Sequence, residues 1–369
     1  MAAMAAGSGG DQWGLHGQRA RRESTPAAAA REQFSRTLAM AKKARITVST
    51  TMLMMTTMAI IMVTGFFGRL PCALAYTAAD FINAYKDPTV AKIEVPNDLV
   101  LTESLPPISR PLSIIGVGAK RPVVSGGKRF SGINTTSALT LTNLELKDFL
   151  TSSPGQGAVV FSDGDQDTVI HRCVFRDNVG GAIAFTGGGY HFTIVGSLCV
   201  GNRAPSAYQS GGALSATLEG GGSITDTEFH NNYAKERGGA VDVRVGTKRI
   251  ERCKFVGNRA DGPGGGGLSC SRASCIISSS QFLNNVAKGM GGGLRFWSDG
   301  EGITSVCTGN SFSRNSALND SRSADVYVEL VDASNDSYPV VHFCDPTPPP
   351  STLLNAPNGT VVFNDCGEC

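Results

Sequence analysis

Residues 229–241 read FHNNYAKERGGAV, and variants of this pattern occur six times in the chain. Its Asn recurs at intervals of 24 to 30 residues, at Asn178, Asn202, Asn232, Asn258, Asn285 and Asn315. Three positions before each Asn stands a Phe, or Cys199 in the second copy. Five positions before that stands an Ile, or Cys307 in the sixth copy. This period predicts a repeat protein.

A glycine motif follows the Asn in five of the copies. It consists of two glycines, a small residue and an aliphatic one, and it covers Gly180–Ile183, Gly211–Leu214, Gly238–Val241, Gly265–Leu268 and Gly291–Leu294. The sixth copy degenerates to Ser323–Val326. Paired glycines allow a tight turn and a close approach of backbones, after which a strand begins with an inward apolar side chain. We therefore predict an all-β, right-handed, single-stranded parallel β-helix with one coil per repeat.

Two other repeat architectures fit the sequence less well. A helical repeat would place a glycine pair in every unit, at about 1 kcal/mol for each Gly relative to Ala. A propeller would be expected to show a Trp-Asp blade signature, which the chain lacks. In the β-helix, inward Phe and Ile are expected to stack in columns, and the Asn residues to form a ladder of side-chain amides.

The flanking sequence predicts further coils and an end cover at each side. Short strands are expected within Lys92–Leu101, Leu112–Gly118, Pro122–Gly127 and Ala138–Leu146. Thr77–Tyr85 places Phe81, Ile82 and Tyr85 on one helical face, which predicts an N-terminal helical cap. The Cys- and Pro-rich tail after residue 338 is expected to cap the other end.

The paired motifs resemble a known family. Phe-x-x-Asn followed by Gly-Gly-Ala-Ile/Leu/Val resembles the repeats of chlamydial polymorphic outer-membrane proteins and of related β-helix proteins of the pectin-lyase-like superfamily. The resemblance covers residues 170–327 directly and about 90–335 by extension. It implies a right-handed β-helix and a role in attachment, while the superfamily also includes polysaccharide lyases, hydrolases and epimerases. The C-terminal autotransporter barrel of the outer-membrane proteins has no counterpart here.

The N-terminal region predicts export. Residues 1–45 are rich in Ala, Arg, Ser and Gly and are expected to be disordered. Residues 46–67 carry no charge and follow Lys42, Lys43 and Arg45, so they predict either a membrane anchor or, with cleavage after Ala75, a signal peptide within 46–75. Both place the β-helix, residues 76–338, and the tail, 339–369, outside the cytosol, at a cell surface or extracellularly. A transit peptide leading to a plastid lumen is a third reading.

Cysteines and sequons agree with a secretory route. There are ten Cys, and cleavage after Ala75 would remove Cys72, so nine would remain and at least one would be unpaired. Cys344, Cys366 and Cys369 are expected to form disulfides in the irregular tail, whereas the Cys366-x-x-Cys369 spacing lacks the second pair or His that a zinc site needs. Candidate glycosylation sites are Asn134, Asn319, Asn335 and Asn358.

A possible binding face follows from strand alternation after the glycine motif. Outward positions on adjacent coils are predicted to bring together Asp242, Arg244, Arg295, Trp297, Tyr327 and Glu329. An aromatic ring beside Arg and carboxylates suits a sugar-binding groove, and Asp with Arg also suits uronate chemistry. The alternative is a solvated face with incidental ion pairs.

No catalytic set is recognisable in the sequence. The paired Asp and Gly-His-Gly of polygalacturonases do not occur, and the three His of the repeat region occupy nonequivalent positions. Asp163, Asp165 and Asp167 would supply oxygens for calcium, although alternate acids in a Gly-containing turn are more often solvated. No other cofactor is expected.

These features predict a monomeric, non-catalytic surface protein that binds an extracellular glycan or surface protein along its side face. Nucleic acid is not expected as a partner, because the solenoid region shows no basic stripe. The membrane would be a further partner through residues 46–67 if they are not cleaved. A polysaccharide lyase or epimerase acting on uronate polymers is the first alternative, and a structural surface or wall protein is the second.

Overall fold

The computed structural model describes residues 76–369 except 152, 154, 300, 301, 332–338, 346, 358 and 368. The predicted disordered region, 1–45, and the predicted anchor or signal peptide, 46–75, lie outside the described residues. The described chain begins with one α-helix, α1, at Ala78–Lys86. Thr77 caps it through a reciprocal capping box with Asp80, and Phe81, Ile82 and Tyr85 are buried, as the helical face predicted.

The rest of the described chain is a parallel β-solenoid of about nine coils. Sheet A has 11 strands: Lys92–Val95, Leu112–Gly116, Leu139–Thr142, Thr168–His171, Phe192–Val195, Gly222–Thr225, Thr247–Glu251, Ser274–Ser278, Ile303–Val306, Val340–Phe343 and Thr360–Phe363. Sheet B has nine: Leu99–Val100, Val123–Ser125, Glu145–Lys147, Val174–Arg176, Leu198–Val200, Glu228–His230, Lys254–Val256, Gln281–Leu283 and Ser311–Ser313.

Two further sheets complete the solenoid, and the shorter one, sheet D, runs through five of its coils. Sheet C has nine strands: Ile133–Thr135, Val160–Asp163, Ile183–Gly187, Leu214–Leu218, Val241–Arg244, Leu268–Ser271, Leu294–Ser298, Val326–Leu330 and Thr352–Asn355. The short sheet D comprises Arg203–Ala204, Tyr233–Ala234, Arg259–Ala260, Val286–Ala287 and Ser316–Ala317. A 3-10 turn lies at Ser321–Ser323. The predicted parallel solenoid is thus confirmed, and the strand Ile133–Thr135 is one that the sequence did not predict.

Apolar side chains stack in columns inside the solenoid. The rings of Phe229, Phe255, Phe282 and Phe312 follow one another with centroids 4.9, 4.7 and 4.8 Å apart. The Ile column also forms, but its sixth member is Val306, which pairs with Ile277. Cys307, which stands five positions before Phe312, lies outside the column, because the corner before Phe312 contains one residue more than the preceding corner.

The Asn side chains of the six repeats form the predicted amide ladder. Each Nδ2 donates to the Oδ1 of the next Asn at 2.8–3.0 Å, from Asn178 to Asn315. Each of these Oδ1 atoms also accepts the backbone N–H of the preceding Asn. The ladder ends at Asp325, whose Oδ1 accepts from Asn315 Nδ2 at 3.0 Å. The degenerate sixth copy therefore supplies the terminal acceptor.

The two glycines of the motif have different steric roles. In the third copy the first glycine, Gly238, has φ +58°, a left-handed conformation that glycine adopts without strain. A Cβ on the second, Gly239, would lie 2.2 Å from the carbonyl oxygen of Gly266 on the next coil. The motif is thus required for coil stacking.

Three disulfides lie in the C-terminal half, Cys270–Cys275, Cys307–Cys369 and Cys344–Cys366. All three tail cysteines therefore form disulfides, as expected: Cys344 with Cys366, and Cys369 with Cys307. The disulfide Cys270–Cys275 was not predicted. The other described cysteines are buried thiols, and burial raises the pKa of Cys173 to about 11 and of Cys253 to about 12. Burial raises the pKa of Cys199 as well.

Candidate functional site

The six side chains that the sequence grouped lie in two columns on the outer face of sheet C. Asp242, Ser269, Arg295 and Tyr327 are successive register partners in the first column. Arg244, Ser271, Trp297 and Glu329 are successive partners in the second. The strand residues between them point into the apolar core, so the predicted alternation is correct.

The first column is covered, whereas the sequence predicted an open side face. Asp242 is 0% exposed, Arg295 6% and Tyr327 5%. The turn segments before the glycine motifs lie against this face: a Cβ on Gly264 would be 2.8 Å from Arg295 Cδ. Because these turns differ in length from coil to coil, strand alternation alone could not predict the cover.

Two ion pairs connect the columns. Arg244 Nε donates to Asp242 Oδ2 at 2.9 Å, and Arg295 Nη2 donates to Glu329 Oε2 at 2.8 Å. A third guanidinium, Arg237, lies close enough to interact with both pairs. Burial lowers the pKa of Arg237, Asp242 opposes that shift, and Arg244 and Arg295 add to it. The five side chains, here called the arginine cluster, carry three positive and two negative charges.

Several polar atoms of this cluster are buried without a hydrogen-bond partner among the described residues. They are Asp242 Oδ1, Arg237 Nε and the Nε and Nη1 atoms of Arg295. Ser269 Oγ and Ser271 Oγ, which lie between the charged residues in the two columns, share this property. Each such group costs about 1–3 kcal/mol, a penalty that native proteins rarely accumulate away from functional sites.

An open cleft adjoins the cluster on the same face of sheet C. It has a volume of about 120 Å³, and Arg244 forms one end of it. Its lining includes the hydroxyl-bearing residues Thr186, Ser210, Ser215 and Thr217 and the buried glycines Gly157, Gly180, Gly181 and Gly211. Arg244 Nη2 donates to Ser210 Oγ at 3.2 Å, so the arginine is fixed from both the strand and the turn.

The segment 203–210 supplies the remaining wall. Tyr208 is 87% exposed and has φ +68°, a conformation uncommon for an aromatic residue. Gln209 is 3% exposed; its Oε1 accepts from Ser206 N, and its Nε2 has no partner in the described part of the chain. An exposed ring, a buried amide side chain and an arginine thus line one cleft.

The cleft arises from unequal turns on neighbouring coils. Eight residues separate Asn202 from Gly211, but one separates Asn178 from Gly180. The long turn therefore projects beside a coil that has almost no turn to cover it. Sequence reasoning missed Tyr208, Gln209, Ser210 and Arg237, although this long spacing between the Asn and the glycine motif was a visible signal.

The two aromatic residues that the sequence singled out have other contacts. The Arg272 guanidinium lies over the Trp297 ring, 5.0 Å from its centroid, and also pairs with Asp299. Tyr327 is buried. Of the six candidates, Arg244 is therefore the one that lines the cleft, and Asp242 holds it in place.

The other candidate sites are placed as follows. Asp167 Oδ1 accepts from His191 N at 2.8 Å, and in the described part of the chain Asp163, Asp165 and Asp167 do not form a group of three carboxylates within 4.8 Å. Asn319 is exposed and Asn134 is half-buried in its strand. Asn335 and Asn358 lie outside the described residues. Calcium binding and glycosylation remain predictions.

Comparison of the chain with protein-family models, with curated proteins and with solved structures gives no match. Within the described residues, no helix has the length and apolar character needed to cross a membrane.

Proposed function

We propose that this chain is an exported or membrane-anchored cell-surface protein that binds a glycan in the sheet C cleft without catalysing a reaction. The observation that carries the proposal is the convergence of the exposed Tyr208 ring, Arg244 and several hydroxyl groups on one cleft, which Gln209 also lines. Aromatic rings stack on the apolar face of a sugar, while amide, hydroxyl and guanidinium groups pair with its hydroxyls.

The size of the cleft favours one unit of an extended ligand. Its volume of about 120 Å³ lies below the 300–1,000 Å³ that is typical of sites for drug-sized molecules. A polymer lying along the stacked coils would place one residue in the cleft and further residues over adjacent coils. The proposal includes a right-handed β-helix of the pectin-lyase-like superfamily, whose repeats the motifs of this chain resemble.

The arrangement favours binding over catalysis. A general base must reach the proton that it removes, and the Asp242 side chain has no exposed surface and is held by Arg244. A uronate lyase or epimerase is therefore the alternative, and a purely structural surface protein is a further one. Export rests on the uncharged segment 46–67, and the three disulfides agree with an oxidising compartment.

A glycan array followed by calorimetry on the strongest ligand tests the proposal. Replacing both Tyr208 and Gln209 by Ala, or Arg244 by Ala, should weaken binding at least tenfold. The matched control replaces Lys254 and Gln281, exposed register partners on sheet B, and should bind like wild type. Equal affinity in all variants would refute the cleft. Unsaturated products from uronate polymers would support the lyase, and absence of any affinity with retention in the wall or membrane fraction would support the structural role.

A further inference from the structure

Four cysteines from three successive coils meet at the C-terminal end of sheet A. Cys307 and Cys344 directly follow the paired strands Ile303–Val306 and Val340–Phe343, so they are neighbours across the sheet. Cys366 and Cys369 follow the next paired strand, Thr360–Phe363. The structure thus supplies the second cysteine pair whose absence from the local sequence argued against a metal at Cys366-x-x-Cys369.

The sulfur positions fit a tetrahedral metal centre. In the described chain, the Sγ atoms of Cys307, Cys344 and Cys369 form the one group of three potential metal ligands within 4.8 Å of one another. Cys344 Sγ and Cys369 Sγ, which are not bonded to each other, are 3.5 Å apart. Zn–S bonds of about 2.3 Å in a tetrahedron place sulfurs about 3.8 Å apart. Cys366 is bonded to Cys344 and is therefore within reach as the fourth ligand.

The surroundings allow the metal to enter and the ligands to be oriented. Cys307 and Cys344 are buried at strand ends, whereas Cys366 and Cys369 are exposed. Cys369 N donates to Cys366 O at 2.9 Å, which closes the turn between the two exposed ligands. Zinc can reach the cluster from the solvent side, where Cys366 and Cys369 lie. Together with the buried Cys307 and Cys344, these residues complete a set of four sulfur ligands around the ion.

We propose that the reduced form of this cluster binds one Zn²⁺ through Cys307, Cys344, Cys366 and Cys369, and that the two disulfides are its oxidised form. A thiol or phosphine reductant supplies two electron pairs, which break the two S–S bonds and give four thiols. Zn²⁺ then binds four thiolates with release of four protons. Reoxidation by a small-molecule disulfide or a peroxide, which accepts two electron pairs from the four thiolates, forms the two disulfides and releases the ion. The last three coils are thus cross-linked in both forms, by disulfides in the oxidised form and by zinc–sulfur bonds in the reduced form.

Alkylation mapping of the full chain tests this inference independently of glycan binding. The protein is reduced with a phosphine, incubated with or without Zn²⁺, alkylated without denaturant and analysed by peptide mass spectrometry. Zinc should lower the alkylation of Cys366 and Cys369, the two exposed cluster cysteines, at least tenfold, whereas it should not change the alkylation of Cys270 and Cys275, the internal control. Bound zinc, measured with a chromogenic chelator, should approach one per chain and fall to background in Cys366→Ser/Cys369→Ser.

Four results would overturn the inference. Three of them are equal alkylation of Cys366 and Cys369 with and without zinc, zinc content no higher than in the double variant, and zinc protection of Cys270 and Cys275 instead of Cys366 and Cys369. If the double variant does not fold, the alkylation pattern of the wild-type chain still decides. A wild-type chain that unfolds on reduction whether or not zinc is present would also overturn it.

Discussion

The amide ladder makes Asn258 the most informative position for a stability test. Its Nδ2 donates to Asn285 Oδ1 at 3.0 Å and to Phe229 O at 2.9 Å. Its Oδ1 accepts from both the backbone N and the Nδ2 of Asn232 at 3.0 Å. The side chain is 0% exposed, so water cannot replace these partners.

Asn258→Ala should therefore destabilise the solenoid by about 4 kcal/mol. The substitution leaves two buried donor groups of Asn232 short of an acceptor, and each such loss costs about 1–3 kcal/mol. The matched control is Asn319→Ala, which changes an exposed Asn of the same solenoid and should shift stability by less than about 0.5 kcal/mol.

The assay combines denaturant unfolding with hydrogen exchange. Because repeat proteins can open locally, exchange of the Asn232 backbone N–H reports the loss directly, and it should accelerate more than that of amides several coils away. An unfolding free energy within about 1 kcal/mol of the Asn319→Ala value, with unchanged exchange at Asn232, would refute the ladder as a source of stability.

Three further predictions concern packing and titration. Gly239→Ala should impair folding, because its Cβ would meet a carbonyl oxygen 2.2 Å away, whereas Gly189→Ala, with no atom within 4 Å, should express and melt like wild type. Phe255→Ala should cost about 3–5 kcal/mol in denaturant unfolding, because it opens a gap in the ring stack; a cost below about 1 kcal/mol would contradict this. The Cys173 thiol has its pKa raised from 9.0 to about 11, so the unfolded chain loses this proton first and stability should fall between pH 9 and 11. In Cys173→Ala, the unfolding free energy should fall less between pH 9 and 11 than in the wild-type chain. Identical plots of unfolding free energy against pH for the two proteins would contradict this prediction.

The solenoid interior could be predicted because each coil repeats the same packing problem. An inward Phe must stack on the Phe of the next coil, and a buried Asn must form a hydrogen bond with the Asn of the next coil. Both residues therefore recur at a fixed place in the strand pattern. The absence of Cys307 from the Ile column has a local cause. Six positions separate Val306 from Phe312, but five separate Ile277 from Phe282, and counting backwards from Phe cannot detect an added corner residue.

The candidate site could be predicted only in part, because it combines regular and irregular elements. Strand register placed Asp242 and Arg244 correctly on the outer face of sheet C. The neighbours of Arg244 in the cleft come from a turn whose length no repeat rule fixes. Burial of Asp242 and Arg295 likewise depends on turn segments that cover the outer face of sheet C. Strand alternation therefore predicted the correct face of the sheet for these side chains but not their burial.

This division suggests where the specificity of the proposed binding site can change without loss of the fold. The glycine motif and the Asn ladder tolerate little change, because a Cβ or a lost amide affects the adjacent coil directly. The turn between the Asn and the glycine motif ranges from one to eight residues among the first five copies. Contacts with the adjacent coil therefore do not fix the length of this turn. The eight-residue turn is also the one that carries Tyr208 and Gln209. Variation of the binding surface is therefore expected to occur by insertion at this corner.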